Sequence, residues 1–159
     1  MKKLGFVILA VLICNSAFAE DFLAKKQVKL GEPVADFALQ NLSGETVKLS
    51  DLKDKAAMFF FWSAKCPFVV RYESRLQAMA KDYAEKGTAI YAIDSNVTET
   101  AAEIKKESEK RRLNYPILLD PDQKVADQFG AITTPHVFIL DKEGRLRYEG
   151  AVDDQGCRR

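Results

Sequence analysis

Eleven residues decide how this chain folds: Phe59-Phe60-Phe61-Trp62-Ser63-Ala64-Lys65-Cys66-Pro67-Phe68-Val69. The phenylalanines end an apolar run over 56–61, and an uninterrupted run of that length predicts a strand buried on both faces. Pro67 suits the first turn of a helix. Apolar residues then recur at spacings of three and four: Val69, Tyr72, Leu76, Met79 and Tyr83. The segment therefore predicts a central strand, a short loop and a helix that begins beside a cysteine.

The patterns on either side of this segment alternate between strand and helix. Before it, residues 33–39 and 47–49 predict a leading hairpin around Ser43-Gly44. After it come a strand at 88–93, a charged helix at 98–112, a short strand at 116–119, a helical turn at 122–129 and a closing hairpin at 137–140 and 146–149. Alternation of this kind predicts an α/β fold with a mixed central sheet and helices on both faces.

The first residues have the pattern of an export signal. Lys2 and Lys3 precede an apolar run over 4–14, and Ala17-Phe18-Ala19 has the small-x-small pattern of a cleavage site. The apolar run is too short to span a bilayer core of about 30 Å. We therefore predict a signal peptide at 1–19, a single domain at 20–159 and an exported protein, periplasmic or secreted, without stable membrane insertion after cleavage.

Charge and composition exclude several function classes. Without Lys2 and Lys3 the 24 basic residues fall to 22, against 23 acidic ones, and this near-neutral balance does not favour nucleic acid. No Cys, His and acidic residues have metal-ligand spacing and there is no glycine-rich phosphate loop, so we expect no metal and no cofactor. The one histidine, His136, is expected to be a partly exposed bystander without a catalytic role.

Cys66 is the candidate nucleophile. At a helix start, the unpaired backbone N–H groups and the positive end of the helix dipole stabilise a thiolate, and neighbouring Lys65 should add to this. The alternative is that Cys66 is a small buried apolar residue. Cys14 would leave with the signal peptide, so Cys157 is the other thiol of the mature chain.

Residues 61–67 resemble the segment that opens the active site in thioredoxin-like redoxins, including the alkyl hydroperoxide reductase and thiol-specific antioxidant (AhpC/TSA) branch. The stretch Gly31-Glu32-Pro33-Val34-Ala35-Asp36-Phe37-Ala38-Leu39 is similar to the hairpin that begins such domains. Further matches are Tyr91-Ala92-Ile93-Asp94 and Thr134-Pro135. The resemblance runs from about residue 31 to 154. It implies a thioredoxin-like fold with an N-terminal hairpin extension. Only nine residues follow Gly150, so the usual last helix is expected to be truncated.

The resemblance also implies where substrate would meet the nucleophile. In this fold the proline at the place of Pro135 is cis and lies against the active cysteine. The expected rim of the active site is Trp62, Ser63, Lys65, Pro67, Thr134 and Pro135. Trp62 is expected to pack at its edge as a structural residue.

The chain departs from the dithiol pattern of these proteins at one position. Val69 stands where the second cysteine of a Cys-x-x-Cys pair would be. A disulfide formed on Cys66 must then be resolved by another molecule or by a thiol elsewhere in the chain, for which Cys157 is the candidate. The expected partners are an external thiol reductant and a disulfide-containing protein substrate.

Three functions remain open at this point. The first is a thiol-disulfide oxidoreductase that works through a mixed disulfide on Cys66. The second is a peroxiredoxin-like peroxidase: of the residues that shape the peroxide pocket in that family, Ser63 fits, Phe59 stands in place of a proline and Pro135 in place of an arginine. The third is a binding module that has kept the fold and lost turnover.

Overall fold

The computed structural model describes residues 27–154. The predicted signal peptide at 1–19 and the thiol of Cys157 lie outside these residues. The strands are β1 (Ala38–Asn41), β2 (Thr46–Lys48), β3 (Ala57–Trp62), β4 (Ala89–Asp94), β5 (Ile117–Leu119), β6 (His136–Leu140) and β7 (Leu146–Gly150). The helices are α1 (Pro67–Ala84), α2 (Ala101–Arg111) and α3 (Lys124–Phe129), and a 3₁₀ turn covers Leu49–Leu52.

The seven strands form one mixed sheet in the order β2-β1-β5-β4-β3-β6-β7. Strand β3 pairs parallel with β4 and antiparallel with β6, which makes it an interior strand, as predicted. The leading and closing hairpins supply the two edges, β2 and β7. The leading hairpin is shorter than predicted, because residues 33–37 lie outside the strands. Pro33 forms an isolated bridge with Arg145, and Val34 and Phe37 pack in the core.

The core has two layers because the side chains of β3 alternate between the faces of the sheet. Phe59 and Phe61 pack with Phe129 of α3 on one face. Phe60 and Trp62 pack on the other face with residues of the two longer helices: Val69, Leu76, Ala80 and Ile104. Helices therefore cover both faces, as the sequence predicted.

Strand pairing brings the late proline to the start of α1. Phe61 is opposite His136 in the antiparallel ladder between β3 and β6. The Thr134–Pro135 peptide bond precedes His136 and is cis, which confirms the expectation from the family resemblance. Within residues 27–154 no helix is long and apolar enough to cross a bilayer.

The two-layer core makes Phe59 a strong determinant of stability. Its side chain is 0% exposed, so Phe59→Ala should lower the free energy of unfolding by about 3–5 kcal/mol through lost burial and a cavity. Phe68→Ala is the matched control, because Phe68 is 59% exposed on α1 and its loss should change stability by less than about 0.5 kcal/mol. Urea unfolding of the three proteins measures this, and equal losses for both variants would contradict the described core.

Candidate active site around Cys66

Cys66 lies at the junction between β3 and α1. It is the N-cap residue of α1, with extended backbone angles, and Pro67 occupies the first helical turn as predicted. The Cys66 side chain is half-buried, and it is the one free cysteine among the described residues. A thiol at this position is accessible and lies next to the unpaired N–H groups of a helix end.

The Cys66 thiol donates a hydrogen bond to the carbonyl oxygen of Thr134, with 3.3 Å between Sγ and that oxygen. Thr134 immediately precedes the cis Pro135, so the thiol lies against the loop that the family resemblance indicated. This hydrogen bond belongs to the protonated thiol, because a thiolate has no proton to donate. Loss of that proton would therefore release the Thr134 carbonyl oxygen.

The three residues before Cys66, called here the 63–65 loop, are held by the carboxylate of Glu99. Oε1 accepts from the Ser63 hydroxyl at 2.6 Å and from the Lys65 N–H at 3.0 Å, and Oε2 accepts from the Ala64 N–H at 2.7 Å. Asn96 also donates to Oε1, at 3.0 Å. Sequence reasoning missed Glu99, because nothing in its local pattern distinguishes it from the other acidic residues of this charged stretch.

The same loop is also held by Arg111, the last residue of α2. Arg111 donates from Nη2 to the carbonyl oxygen of Ala64 at 2.6 Å. Its guanidinium lies 6.0 Å from the centre of the Trp62 ring and forms ion pairs with Glu73 and Glu107. The N–H and the C=O of Ala64 are thus each bound by an ionised side chain.

The structure corrects three expectations for the residues next to Cys66. Lys65 does not direct its ammonium group at the thiol; it donates to the carbonyl oxygen of Thr98 at 3.0 Å and pairs with Glu103 at 3.4 Å. Trp62 and Ser63 are only 1% and 6% exposed, and they reach the surface where they line the cleft beside the site. Four of the expected residues form the accessible rim beside Cys66. Lys65 and Pro67 are exposed, and Thr134 and Pro135 are half-buried.

The pKa values of two carboxyl groups near the 63–65 loop, Asp94 and Glu99, are shifted in opposite directions. Burial away from water raises the pKa of Asp94 to about 7, and the neighbouring negative charge of Glu99 adds to the rise. Burial also acts to raise the pKa of Glu99, but hydrogen bonds from Ser63, Lys65, Ala64 and Asp94 outweigh it and the pKa is lowered. As a carboxylate, Asp94 leaves Oδ2 buried without a hydrogen-bond partner among the described residues. A protonated Asp94 beside an ionised Glu99 satisfies both groups.

His136 is more buried than the sequence suggested. It pairs with Phe61 in the sheet and its ring contacts that of Phe138 at 4.4 Å between centroids. Burial lowers the pKa of His136, although Glu149, 3.8 Å from Nε2, acts to raise it. A neutral, packed imidazole agrees with a structural role for this residue.

A cleft of about 260 Å³ opens beside the site. Its lining is largely uncharged and polar and includes Ser63, Asn96, Gln123 and Thr134. A larger cleft of about 430 Å³ lies at the other end of β3, between Ala57 and Leu140, and is therefore remote from Cys66. Within residues 27–154 no cluster of His, Cys, Asp and Glu side chains could hold a metal ion.

The chain returns to α1 after the last strand. Asp153 accepts a hydrogen bond from the Tyr72 hydroxyl at 3.1 Å and forms an ion pair with Arg75. Val152 packs against the same core layer as Cys66 and Tyr72. Val152 and Asp153 therefore lie against α1, the helix whose N-cap residue is Cys66.

Comparison with known proteins identifies relatives over most of the chain. The profile of the AhpC/TSA family matches residues 30–149. Thiol-disulfide oxidoreductase ResA of Bacillus anthracis is 28% identical over 153 residues, covering 92% of this chain and 87% of that protein. A hypothetical protein of Sinorhizobium meliloti of known structure is 38% identical, with a TM-score of 0.74 over 81% of this chain and 74% of that one.

A further similarity concerns the fold alone. The thioredoxin domain of a thiol-disulfide oxidoreductase from Bacteroides vulgatus has a TM-score of 0.71 at 22% identity, covering 80% of this chain and 92% of that one. The thioredoxin-like fold expected from the sequence is thereby confirmed.

The buried Asp94 predicts a stability that falls as the pH rises. Its pKa of about 7 in the folded chain exceeds the ordinary 3.8, so its contribution is complete below about pH 4 and is lost as the pH rises through 7. Asp94→Asn keeps the neutral form at every pH, and its gain over the wild type should be about 1–3 kcal/mol larger at pH 8 than at pH 5. Urea unfolding at both values measures this, with exposed Asp82→Asn as the control. A gain that is the same at both values would contradict the assignment.

Proposed function

This chain belongs to the AhpC/TSA family and is a thiol-dependent oxidoreductase, and we propose that it attacks disulfides of exported proteins with the single thiol of Cys66. One observation carries the choice of residue. Cys66 is the accessible cysteine at the start of α1, with its Sγ 3.3 Å from the carbonyl oxygen that precedes the cis proline. Export rests on the sequence pattern of residues 1–19.

The reaction begins when the Cys66 thiol loses its proton to solvent. The thiolate attacks one sulfur of the substrate disulfide, a bond forms between the two sulfurs, and the substrate's S–S bond breaks. The departing sulfur leaves as a thiolate and takes up a proton. The products are a mixed disulfide on Cys66 and one free thiol on the substrate, and no electrons are gained or lost overall.

The mixed disulfide then has no resolving thiol within α1. Val69 occupies the position of the second cysteine, is 0% exposed and packs in the core. Resolution therefore falls to thiols outside this helix. An external thiol attacks Sγ of Cys66 and releases the substrate as its thiol, which leaves Cys66 joined to the external sulfur. A second thiol then attacks that external sulfur, restores the Cys66 thiol and leaves the two attacking sulfurs joined as a disulfide. This requirement makes a small-molecule or protein thiol an obligate partner for turnover.

The surface around Cys66 suits an extended protein segment. Exposed apolar side chains lie close in sequence to residues of the site: Phe68 follows Cys66 on α1, Val97 follows Asn96, and Ile132 precedes Thr134 by two residues. Displacement of the Cys66 thiol would free the Thr134 carbonyl oxygen to accept a hydrogen bond from the backbone of a bound segment. We propose that the substrate is a partly unfolded protein with a disulfide in such a segment.

The peroxidase alternative has less support at the same residues. The Ser63 hydroxyl, which would have to serve a peroxide, already donates to Glu99 at 2.6 Å. Phe59 belongs to the core and Pro135 cannot supply the charge of an arginine. The environment of Cys66 therefore favours disulfide attack over peroxide reduction.

Cys157 is a second candidate for the resolving thiol. Asp153 is tied to Tyr72 and Arg75 on α1, and the four residues from Asp153 to Cys157 span at most about 14 Å. Such a length could reach the start of α1. Intramolecular resolution would form a Cys66–Cys157 disulfide and release the substrate.

The single-thiol mechanism predicts an adduct that accumulates. Incubation of the reduced mature protein with oxidised glutathione should add the mass of one glutathione at Cys66, and reduced glutathione should remove it. Cys66→Ser should give no adduct at this position. Peptide mapping by mass spectrometry under non-reducing conditions measures this, and an unmodified Cys66 in the folded wild type would refute the proposed nucleophile.

Cys157→Ser separates the two routes of resolution in the same experiment. If Cys157 resolves, the wild type should yield a Cys66–Cys157 peptide and the variant should hold the glutathione adduct at least roughly tenfold longer. Equal adduct lifetimes would assign resolution to an external thiol alone. Rapid loss of the Cys66 thiol at low peroxide, without reaction with oxidised glutathione, would instead support the peroxidase.

A further inference from the structure

The two ends of α2 converge on Ala64, the middle residue of the 63–65 loop. Glu99 lies just before Thr100, the N-cap of α2, and Arg111 is the last residue of the helix. The Glu99 carboxylate accepts from the Ala64 N–H at 2.7 Å, and Arg111 donates to the Ala64 carbonyl oxygen at 2.6 Å. Charge-assisted hydrogen bonds of this length are among the stronger polar contacts in proteins.

These contacts are partly buried. Ala64 and Ser63 are buried, and the Arg111 side chain is mostly covered, with its guanidinium over the Trp62 ring. Asn96 supports Glu99 from the end of β4, donating to both Oε1 and the Ser63 hydroxyl oxygen. Glu73 and Glu107 support Arg111 from α1 and α2. Each clamping side chain is thus itself held in place.

The geometry leaves Cys66 little freedom relative to α2. The Cys66 N–H donates to the Ser63 carbonyl oxygen at 3.3 Å, so the clamped loop connects directly to the cysteine backbone. The thiol then meets the Thr134 carbonyl oxygen on the other side. Attack on a disulfide needs the three sulfurs close to a line, and an error of about 1 Å in the position of a reacting group can cost roughly a hundredfold in rate.

We propose that Glu99 and Arg111 are positioning residues that fix the 63–65 loop from opposite sides and thereby aim the Cys66 sulfur at its substrate. This proposal rests on Cys66 being the nucleophile. Neither side chain touches the reacting sulfur among the contacts described, so both act through the backbone of Ala64. Helix α2, which carries no reacting group, becomes the element that orients the nucleophile.

Two variants separate positioning from a simple effect of charge. A carboxylate disfavours a nearby thiolate and a guanidinium favours it, so an electrostatic role predicts that Glu99→Gln speeds the reaction of Cys66 and Arg111→Met slows it. Positioning predicts that both slow it. In Glu99→Gln the amide nitrogen is itself a donor, so it cannot accept a hydrogen bond from the backbone N–H or hydroxyl group that it faces. Arg111→Met leaves the Ala64 carbonyl oxygen without its donor.

The experiment is the second-order rate of adduct formation on Cys66 with oxidised glutathione in the mature protein. Glu99→Gln and Arg111→Met should each be slower by roughly tenfold to a hundredfold. The double variant should be little slower than either single one, because both side chains hold the backbone of the same residue, Ala64. Arg111→Lys should recover part of the rate, since an ammonium can still donate one hydrogen bond to the Ala64 carbonyl oxygen.

The matched controls are Glu109→Gln and Lys106→Met, which make the same charge changes on exposed residues of α2. Both should react at the wild-type rate. Circular dichroism establishes that each variant is folded at the assay temperature. If Arg111→Met is unfolded, the rates of the two single variants Glu99→Gln and Arg111→Lys are compared with that of the wild type instead.

Three results would overturn the positioning role. The first is that Glu99→Gln forms the adduct faster than the wild type, and the second is that Glu99→Gln and Arg111→Met react at the wild-type rate. The third is that the control variants lose as much rate as these two. A wild type that forms no adduct on Cys66 would instead overturn the proposed function. The two failures are therefore distinguishable in one series of measurements.

Discussion

Strand β3 has neither an exposed face nor a free edge, and the position of every residue near Cys66 depends on this. Its phenyl and indole side chains fill both core layers, and β4 and β6 occupy its two edges. The chain can leave such a strand only at its ends. Its carboxyl end delivers the 63–65 loop and then the cysteine at the start of α1, while the antiparallel partner β6 brings Thr134 and Pro135 to the same point. Burial of β3 is thus the physical origin of the site.

Much of this can be predicted from the sequence because the relevant signals are local. The apolar run at 56–61, the proline after Cys66 and the three-and-four spacing along α1 are short-range patterns that specify strand and helix directly. The closing hairpin is equally clear from its turn, and it places Gly150 opposite Val137, next to Pro135. The cis form of the Thr134–Pro135 bond can be expected only through the family resemblance, since no local pattern specifies it.

The clamp on the loop cannot be predicted in this way, for a physical reason. The contacts of Glu99 and Arg111 with Ala64 join residues 35 and 47 positions apart, and they depend on how α2 packs across the sheet. Charged residues on a helix are most often solvated, so nothing in the composition of α2 distinguishes these two from their neighbours. The same limit explains the error for Lys65. Adjacency to Cys66 suggests electrostatic help for the thiolate, yet the side chain turns to the start of α2 and meets Thr98 and Glu103.

The central claim is that the Cys66 thiol attacks a disulfide and then remains in the mixed disulfide, because Val69 stands in the place of a resolving cysteine. The most direct test is the lifetime of the glutathione adduct on Cys66 in the Cys157→Ser protein with and without Val69→Cys, followed by rapid quenching and intact mass. Similar rates of first attack are expected for both proteins. A long-lived adduct should follow in the protein that keeps Val69, whereas with Val69→Cys a disulfide between Cys66 and the introduced cysteine should rapidly replace it. Adducts of equal lifetime in the two folded proteins would contradict the claim.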